Sequence, residues 1–122
     1  MRTGSCLCGA VRYTVRGEPT HVGRCHCADC RKRSGSAFAI YGHWPREAFE
    51  LEGELADFDG DRFCGTCGSR VGLIEDDLVE INLGTLDEAP FRLVPDTEIW
   101  ITRREPWLHA VDGAAQHEES RS

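Results

Sequence analysis

Val11, Tyr13 and Val15 alternate with Arg12, Thr14 and Arg16, the period-two pattern of a strand with one buried face, and Gly17-Glu18-Pro19 stops it. Ser36 to Trp44 (SAFAIYGHW) is a second apolar run. It leads into Pro45-Arg46-Glu47-Ala48-Phe49, where Pro at a first helical position predicts a single helical turn. Arg70 to Glu75 and Leu78 to Leu83 flank Asp76-Asp77 and read as a hairpin, although this turn pair lacks the usual Gly. Thr97 to Arg103, containing Ile99, Trp100 and Ile101, reads as a late strand. No segment holds a 3.6-residue period beyond about three turns. The pattern predicts an all-β class with little helix. Its sheets are expected to be antiparallel, because no crossover helices are available to make parallel pairs. From Gly113 the chain turns polar (GAAQHEESRS), so residues 1–112 are expected to form one domain and 113–122 a fraying tail.

Composition sharpens this picture. A chain of 122 residues suits a single domain. Its 40% hydrophobic and 8% aromatic content, with 13 glycines, fits a turn-rich β protein that needs staples as well as a core. No run of about 18 apolar residues is present, so no membrane span is expected. Met1-Arg2-Thr3-Gly4-Ser5-Cys6 carries no apolar stretch of the signal-peptide kind, and the expected compartment is the reducing cytoplasm, where disulfides rarely persist. The net charge of −7 argues against a nucleic-acid partner, since such proteins show a basic face. One basic run, Arg31-Lys32-Arg33, departs from that background.

The seven cysteines supply the chemistry. They fall into three groups: Cys6-Leu7-Cys8-Gly9, Cys25-His26-Cys27-Ala28-Asp29-Cys30, and Cys64-Gly65-Thr66-Cys67-Gly68. An odd number, with Cys-x-Cys neighbours that bridge poorly, does not suit a disulfide framework. Zinc explains the spacing: a Cys-x2-Cys-Gly turn lets two thiolates converge on one ion, and Gly accepts the left-handed backbone such turns need. Seven ligands divide into a closed set of four and an open set of three. Four protein ligands mark a structural zinc, and three with an exchangeable position mark a catalytic one. If Cys25, Cys27 and Cys30 act together they form the open set, leaving Cys6, Cys8, Cys64 and Cys67 to close the other. Spacing alone also allows the pairs to be shuffled.

The segments GSCLCGAVRYTVRGEP (4–19), CHCADCRKRSGSAFA (25–39) and FCGTCGSRVG (63–72), followed by IW…PWLH…DG (99–113), resemble the family of glutathione-dependent formaldehyde-activating enzymes, which also includes centromere protein V. The resemblance runs along nearly the whole chain in order. It implies a β-tent of antiparallel sheets with two zinc sites. It also implies that Cys6, Cys8, Cys64 and Cys67 hold the structural zinc and Cys25, Cys27 and Cys30 the catalytic one. Near the end, where members commonly read Asp-Gly-Leu-Pro-Gln-Phe, this chain reads Asp112-Gly113-Ala114-Ala115-Gln116-His117 and lacks the Pro and Phe.

An open zinc of three thiolates has room for a soft ligand such as the glutathione thiolate, whose sulfur coordination would deprotonate near neutral pH. The expected activity is that of a carbon–sulfur lyase on a thiol–aldehyde adduct such as S-(hydroxymethyl)glutathione, in a monomer or a homodimer. The alternative is a non-enzymatic zinc-stabilised module that binds a protein or a thiol. Glutathione is anionic and the chain is acidic, so a local basic patch is needed. Arg31 and Arg33, with Arg24 and Lys32 nearby, are candidate grips for a substrate carboxylate, and the hydroxyl of Ser34 is a further candidate contact. His26, between two presumed ligands of an extended segment, is expected to face away from the metal. Asp29 reads as an exposed turn residue, and Trp44, Trp100 and Trp107 as core or pocket wall.

Overall fold

The computed structural model describes residues 1–120; positions 121 and 122 of the expected tail lie outside them. Two sheets carry the fold. The alternation at Val11–Val15 becomes β2 (Arg12–Val15), paired on one side with β1 (Arg2–Ser5) and on the other with β5 (Phe49–Glu52), both antiparallel. The second sheet runs in the order β11-β10-β3-β4-β9-β8-β7-β6. It is built from β3 (His21–Cys25), β4 (Ala39–Pro45), β6 (Ala56–Phe58), β7 (Asp61–Phe63), β8 (Arg70–Ile74), β9 (Leu78–Asn82), β10 (Thr97–Ile99) and β11 (Ala115–Gln116). The expected hairpin is the β8–β9 pair, closed by the Glu75 N–H to the Leu78 carbonyl at 2.8 Å. The expected single turn after Pro45 is a 3-10 turn at Arg46–Ala48. No helix among the described residues is long and apolar enough to cross a membrane.

The core lies between the sheets. Val11, Tyr13 and Val15 point into it from β2 and the turn before it, and meet Val22, Trp44, Phe49, Val71, Val79, Ile81, Leu83 and Leu86. Trp44, Ile81 and Leu83 are fully buried, each contributing roughly 1.5–3 kcal/mol by leaving water. The Trp44 indole N–H is satisfied by the Gly17 carbonyl at 3.0 Å. Cys6 and Cys64 belong to the same cluster, so part of the apolar core is sulfur.

Four features add to or correct the sequence expectations. First, the little helix expected takes the form of α1 (Ala28–Ser34), within the second cysteine group. It is only two turns long, too short for a periodic apolar face, and its N-cap is Cys27, whose sulfur accepts the Cys30 N–H at 3.3 Å. Gly35 ends it in the left-handed conformation at φ 68°. Second, the large sheet is mixed: β10 runs parallel to both β3 and β11. Strands distant in sequence can pair in parallel without a crossover helix, and the irregular segment between Ile99 and Ala115 carries the chain back to β11. Third, the late strand stops at Ile99, because Trp100 turns left-handed at φ 58° and sends its N–H to the Glu119 carbonyl at 2.9 Å. Fourth, the tail does not fray where expected. Ala115 and Gln116 pair with Thr97 and Glu98, so backbone hydrogen bonds dock residues that carry no large apolar side chain.

Gly72 shows how closely β8 and β9 approach. Its φ is 145°, and a Cβ there would stand 1.8 Å from the Glu80 carbonyl oxygen. Replacing Gly72 with Ala is expected to cost about 2–4 kcal/mol, from combined overlap and backbone strain. Gly84→Ala, whose Cβ meets nothing within 4 Å, is expected to change stability by less than about 0.5 kcal/mol. Denaturant unfolding of the two variants checks both.

Candidate metal and active site

The cysteines gather into two groups, Cys6-Cys8-Cys64-Cys67 and Cys25-Cys27-Cys30, with the sulfurs of each group within 4.8 Å of one another. All seven are free thiols. The fold thus brings together the same two sets that the resemblance implies.

The four-cysteine set lies where the two sheets meet. Cys6 and Cys8 occupy the turn between β1 and β2, and Cys64 and Cys67 the turn between β7 and β8. Each turn is closed by its own backbone: Gly9 N–H to the Cys6 carbonyl at 3.1 Å, and Gly68 N–H to the Cys64 carbonyl at 2.8 Å. The Ser69 hydroxyl accepts the Leu7 N–H at 2.9 Å and joins the two turns. Sulfur separations of 3.6 Å (Cys6–Cys8) and 3.8 Å (Cys8–Cys64) match the edge of about 3.8 Å that a tetrahedron of sulfurs about 2.3 Å from zinc requires. The Val11 N–H points at the Cys6 sulfur from 3.2 Å, a donor suited to a thiolate.

Protonation also fits a cation. The Ser69 hydroxyl and N–H hold the Cys67 thiol down at about 5. The Ala10 N–H favours a thiolate at Cys8, yet the neighbouring sulfurs and burial push that thiol up to about 11. Four sulfurs this close cannot all carry negative charge unless a cation sits among them, and an all-sulfur set suits zinc.

The three-cysteine set spans a strand end and a helix start. Cys25 is the last residue of β3 and is buried; Cys27 caps α1 and Cys30 lies in its first turn, both half-buried. The Cys30 thiol is pushed far up, first by its hydrogen bond with Cys25 and then by burial, while the Arg70 guanidinium pulls weakly the other way. These residues offer three ligands and a partly exposed face, a donor set suited to an open zinc.

The candidate substrate contacts surround this set but are largely engaged. Arg31 donates to the Arg103 carbonyl at 2.9 Å and to the Glu105 carboxylate at 3.3 Å. Arg33 stands 3.8 Å from Asp59, and the Ser34 hydroxyl donates to the Cys30 carbonyl at 2.8 Å. Arg24 is buried, stacked 5.0 Å over Phe38, with its Nε on Glu98 and its Nη2 on the His109 carbonyl. Lys32 and Asp29 are exposed. Neither His109 nor His117 joins a cysteine group. Trp44 is core, whereas Trp107 is exposed.

His26 turns to Glu98, its Nε2 2.7 Å from Oε1. Burial lowers the imidazole's pKa despite the carboxylate beside it, and because an ionised carboxylate only accepts, Nε2–H is the donor in this pair. Sequence reasoning missed Glu98, which sits in a short, largely buried strand and is itself fully buried. Burial pushes its carboxyl up, but the Gln116 amide, the Val111 N–H, His26 and Arg24 outweigh it and hold it down at about 2. Arg70 was also missed as a charge near the open set; it is anchored by Asp61 at 2.6 Å and Asn82 at 3.0 Å. Neither belongs to a motif with a spacing rule, so only their placement reveals them.

Comparison with known proteins agrees with this geometry. A crystal structure of a Rhodobacter sphaeroides protein superposes with a TM-score of 0.57 at 25% identity, covering 74% of this chain and 92% of that one. A Halomonas elongata protein named after the glutathione-dependent formaldehyde-activating enzymes is 29% identical over 86 residues, which are 59% of this chain and 55% of the relative. The chain therefore spans about half the length of that curated relative. A family model described as glutathione-dependent formaldehyde-activating enzyme matches residues 1–103, including all seven cysteines, and the chain belongs to that family.

Proposed function

We propose that the chain is a zinc-dependent enzyme of the carbon–sulfur lyase type, acting on an adduct of an aldehyde with glutathione or another thiol, such as S-(hydroxymethyl)glutathione. The observation that carries this reading is a partly exposed set of three sulfurs, separate from a set of four. In the reaction the carbon–sulfur bond of the adduct breaks as its hydroxyl loses a proton and becomes the aldehyde carbonyl; synthesis is the reverse. Cys25, Cys27 and Cys30 would hold a zinc ion, whose exchangeable position would accept a thiolate and favour its deprotonated form near neutral pH.

The chain's own residues set the surroundings. The Cys30 N–H directed at the Cys27 sulfur stabilises that sulfur as a thiolate ligand. Arg31, Lys32 and Arg33 offset the −7 charge next to the open set, which an anionic thiol must approach. Arg31 and Arg33 are the proposed grips for a substrate carboxylate, each exchanging a weak, solvent-screened contact with Glu105 or Asp59 for the incoming group. The Ser34 hydroxyl, held at the end of α1, is the proposed polar contact beside them.

The two metal sets predict different losses. Cys64→Ser and Cys67→Ser are expected to abolish cooperative folding, because a structural zinc contributes on the order of 10 kcal/mol; circular dichroism with zinc analysis checks this. Cys27→Ser is expected to keep the fold and one zinc, and to lose thiol binding. Exchange NMR on a glutathione–formaldehyde mixture then decides the activity. Acceleration by the two-zinc wild type that Cys27→Ser lacks is the expected result. A verified two-zinc protein with no acceleration would favour a binding module that takes a protein or thiol without turnover.

A further inference from the structure

Glu98 is fully buried, yet the chemistry above makes no use of it. Its two oxygens divide their partners by origin. Oε1 accepts from Arg24 Nε at 2.7 Å and from His26 Nε2 at 2.7 Å, the two residues that flank Cys25. Oε2 accepts from the Val111 N–H at 2.7 Å and the Gln116 amide at 3.0 Å. Both of these lie beyond the residues 1–103 that match the family. Four short hydrogen bonds fill the roughly four acceptor positions of a carboxylate. Arg104 holds the other end of the Gln116 amide, Nη1 to Oε1 at 2.7 Å, which aims its NH2 at Glu98.

Two features connect this hub to the sulfurs. The His26 ring stands between Cys25 and Cys27 in sequence, and its Nδ1 has no hydrogen-bond partner among the described residues. Glu98 is therefore the ring's hydrogen-bond anchor. In the ladder Ile99 opposes Cys25, and its carbonyl accepts the His26 N–H at 3.2 Å, so backbone and side chain of β10 hold the same turn.

We propose that Glu98 is a positioning residue of the three-cysteine site: through Arg24 and His26 it fixes the turn carrying Cys25 and Cys27, and through Val111 and Gln116 it ties that turn to segment 104–116. This rests on the reading that Cys25, Cys27 and Cys30 hold a metal ion. Thiolates held in one arrangement bind an ion more tightly than thiolates on a loose turn, and partners one shell out typically change metal affinity by about 10–100-fold.

The test loads the full chain with Co2+ at both sites and compares wild type with Glu98→Gln. Glutamine keeps the volume but has one acceptor oxygen, so one pair of donors faces an NH2. Two ions per chain are expected in both proteins. In the variant, the ion at the three-cysteine site is expected to pass to a chelator at least about ten-fold faster, with shifted ligand-field bands and faster hydrogen exchange across 109–117. Val15→Ala, a cavity in the three-stranded sheet, supplies a loss of stability without touching the hub, and wild-type release is expected from it. If Glu98→Gln does not fold, His26→Phe keeps the ring and the other three partners of Glu98, and the same acceleration is expected. Release at the wild-type rate from the folded variant, or equal acceleration in Val15→Ala, overturns the positioning role while leaving the metal reading intact. A wild type that takes only one ion overturns the metal reading and this proposal with it.

Discussion

Four sulfurs converge where the three-stranded and eight-stranded sheets meet, and the rest of the molecule is arranged around that junction. Cys6 and Cys8 leave the small sheet; Cys64 and Cys67 lie between β7 and β8 of the large one. The apolar core between the sheets is modest, and two of these cysteines are part of it. Neighbouring sulfurs push the Cys8 thiol up while Ser69 holds the Cys67 thiol down, and a cation among them would let all four carry negative charge. A divalent ion held there would link strands distant in sequence and stabilise the fold where the core alone is thin.

The second sulfur set offers the same kind of donor in a different setting. It is assembled from one strand end and the first turn of a two-turn helix, and it stays partly exposed. A three-ligand set on such short elements has little rigidity of its own. The buried carboxylate of Glu98, with donors from β3 on one oxygen and from the chain's last segment on the other, supplies a fixed reference behind it. Under the proposed function, the basic residues of α1 would offset locally the long-range repulsion of anions by a chain of net charge −7.

Segment 104–116 illustrates how function and fold share residues. It docks on α1 through the Arg31–Glu105 pair and on β3 through Arg24, and it ends as β11 on the sheet edge. The Pro and Phe of the family's pattern are absent, but Gln116 remains, and its amide bonds Glu98. Backbone pairing and one buried hydrogen-bonding group dock this segment without those apolar anchors.

What the sequence determined by itself was local and chemical. Cysteine spacing marked the candidate ligands, because a metal turn needs fixed offsets and glycines, but not how they divide into two sets. The alternation at Val11–Val15, the Arg70–Leu83 hairpin and the turn after Pro45 were legible for the same reason: each is decided by neighbours within a few residues. Helix α1 had readable signals as well, with Asp29 in its first turn, Arg31-Lys32-Arg33 in its last and Gly35 after it, but its cap is a cysteine and its length allows no periodic stripe. Tertiary structure alone decided the parallel pairing of β10, the docking of the polar tail, and the role of Glu98. Each depends on what a residue meets across a long loop, and the stability of a buried carboxylate depends on donors from several segments, none of which leaves a spacing in the chain.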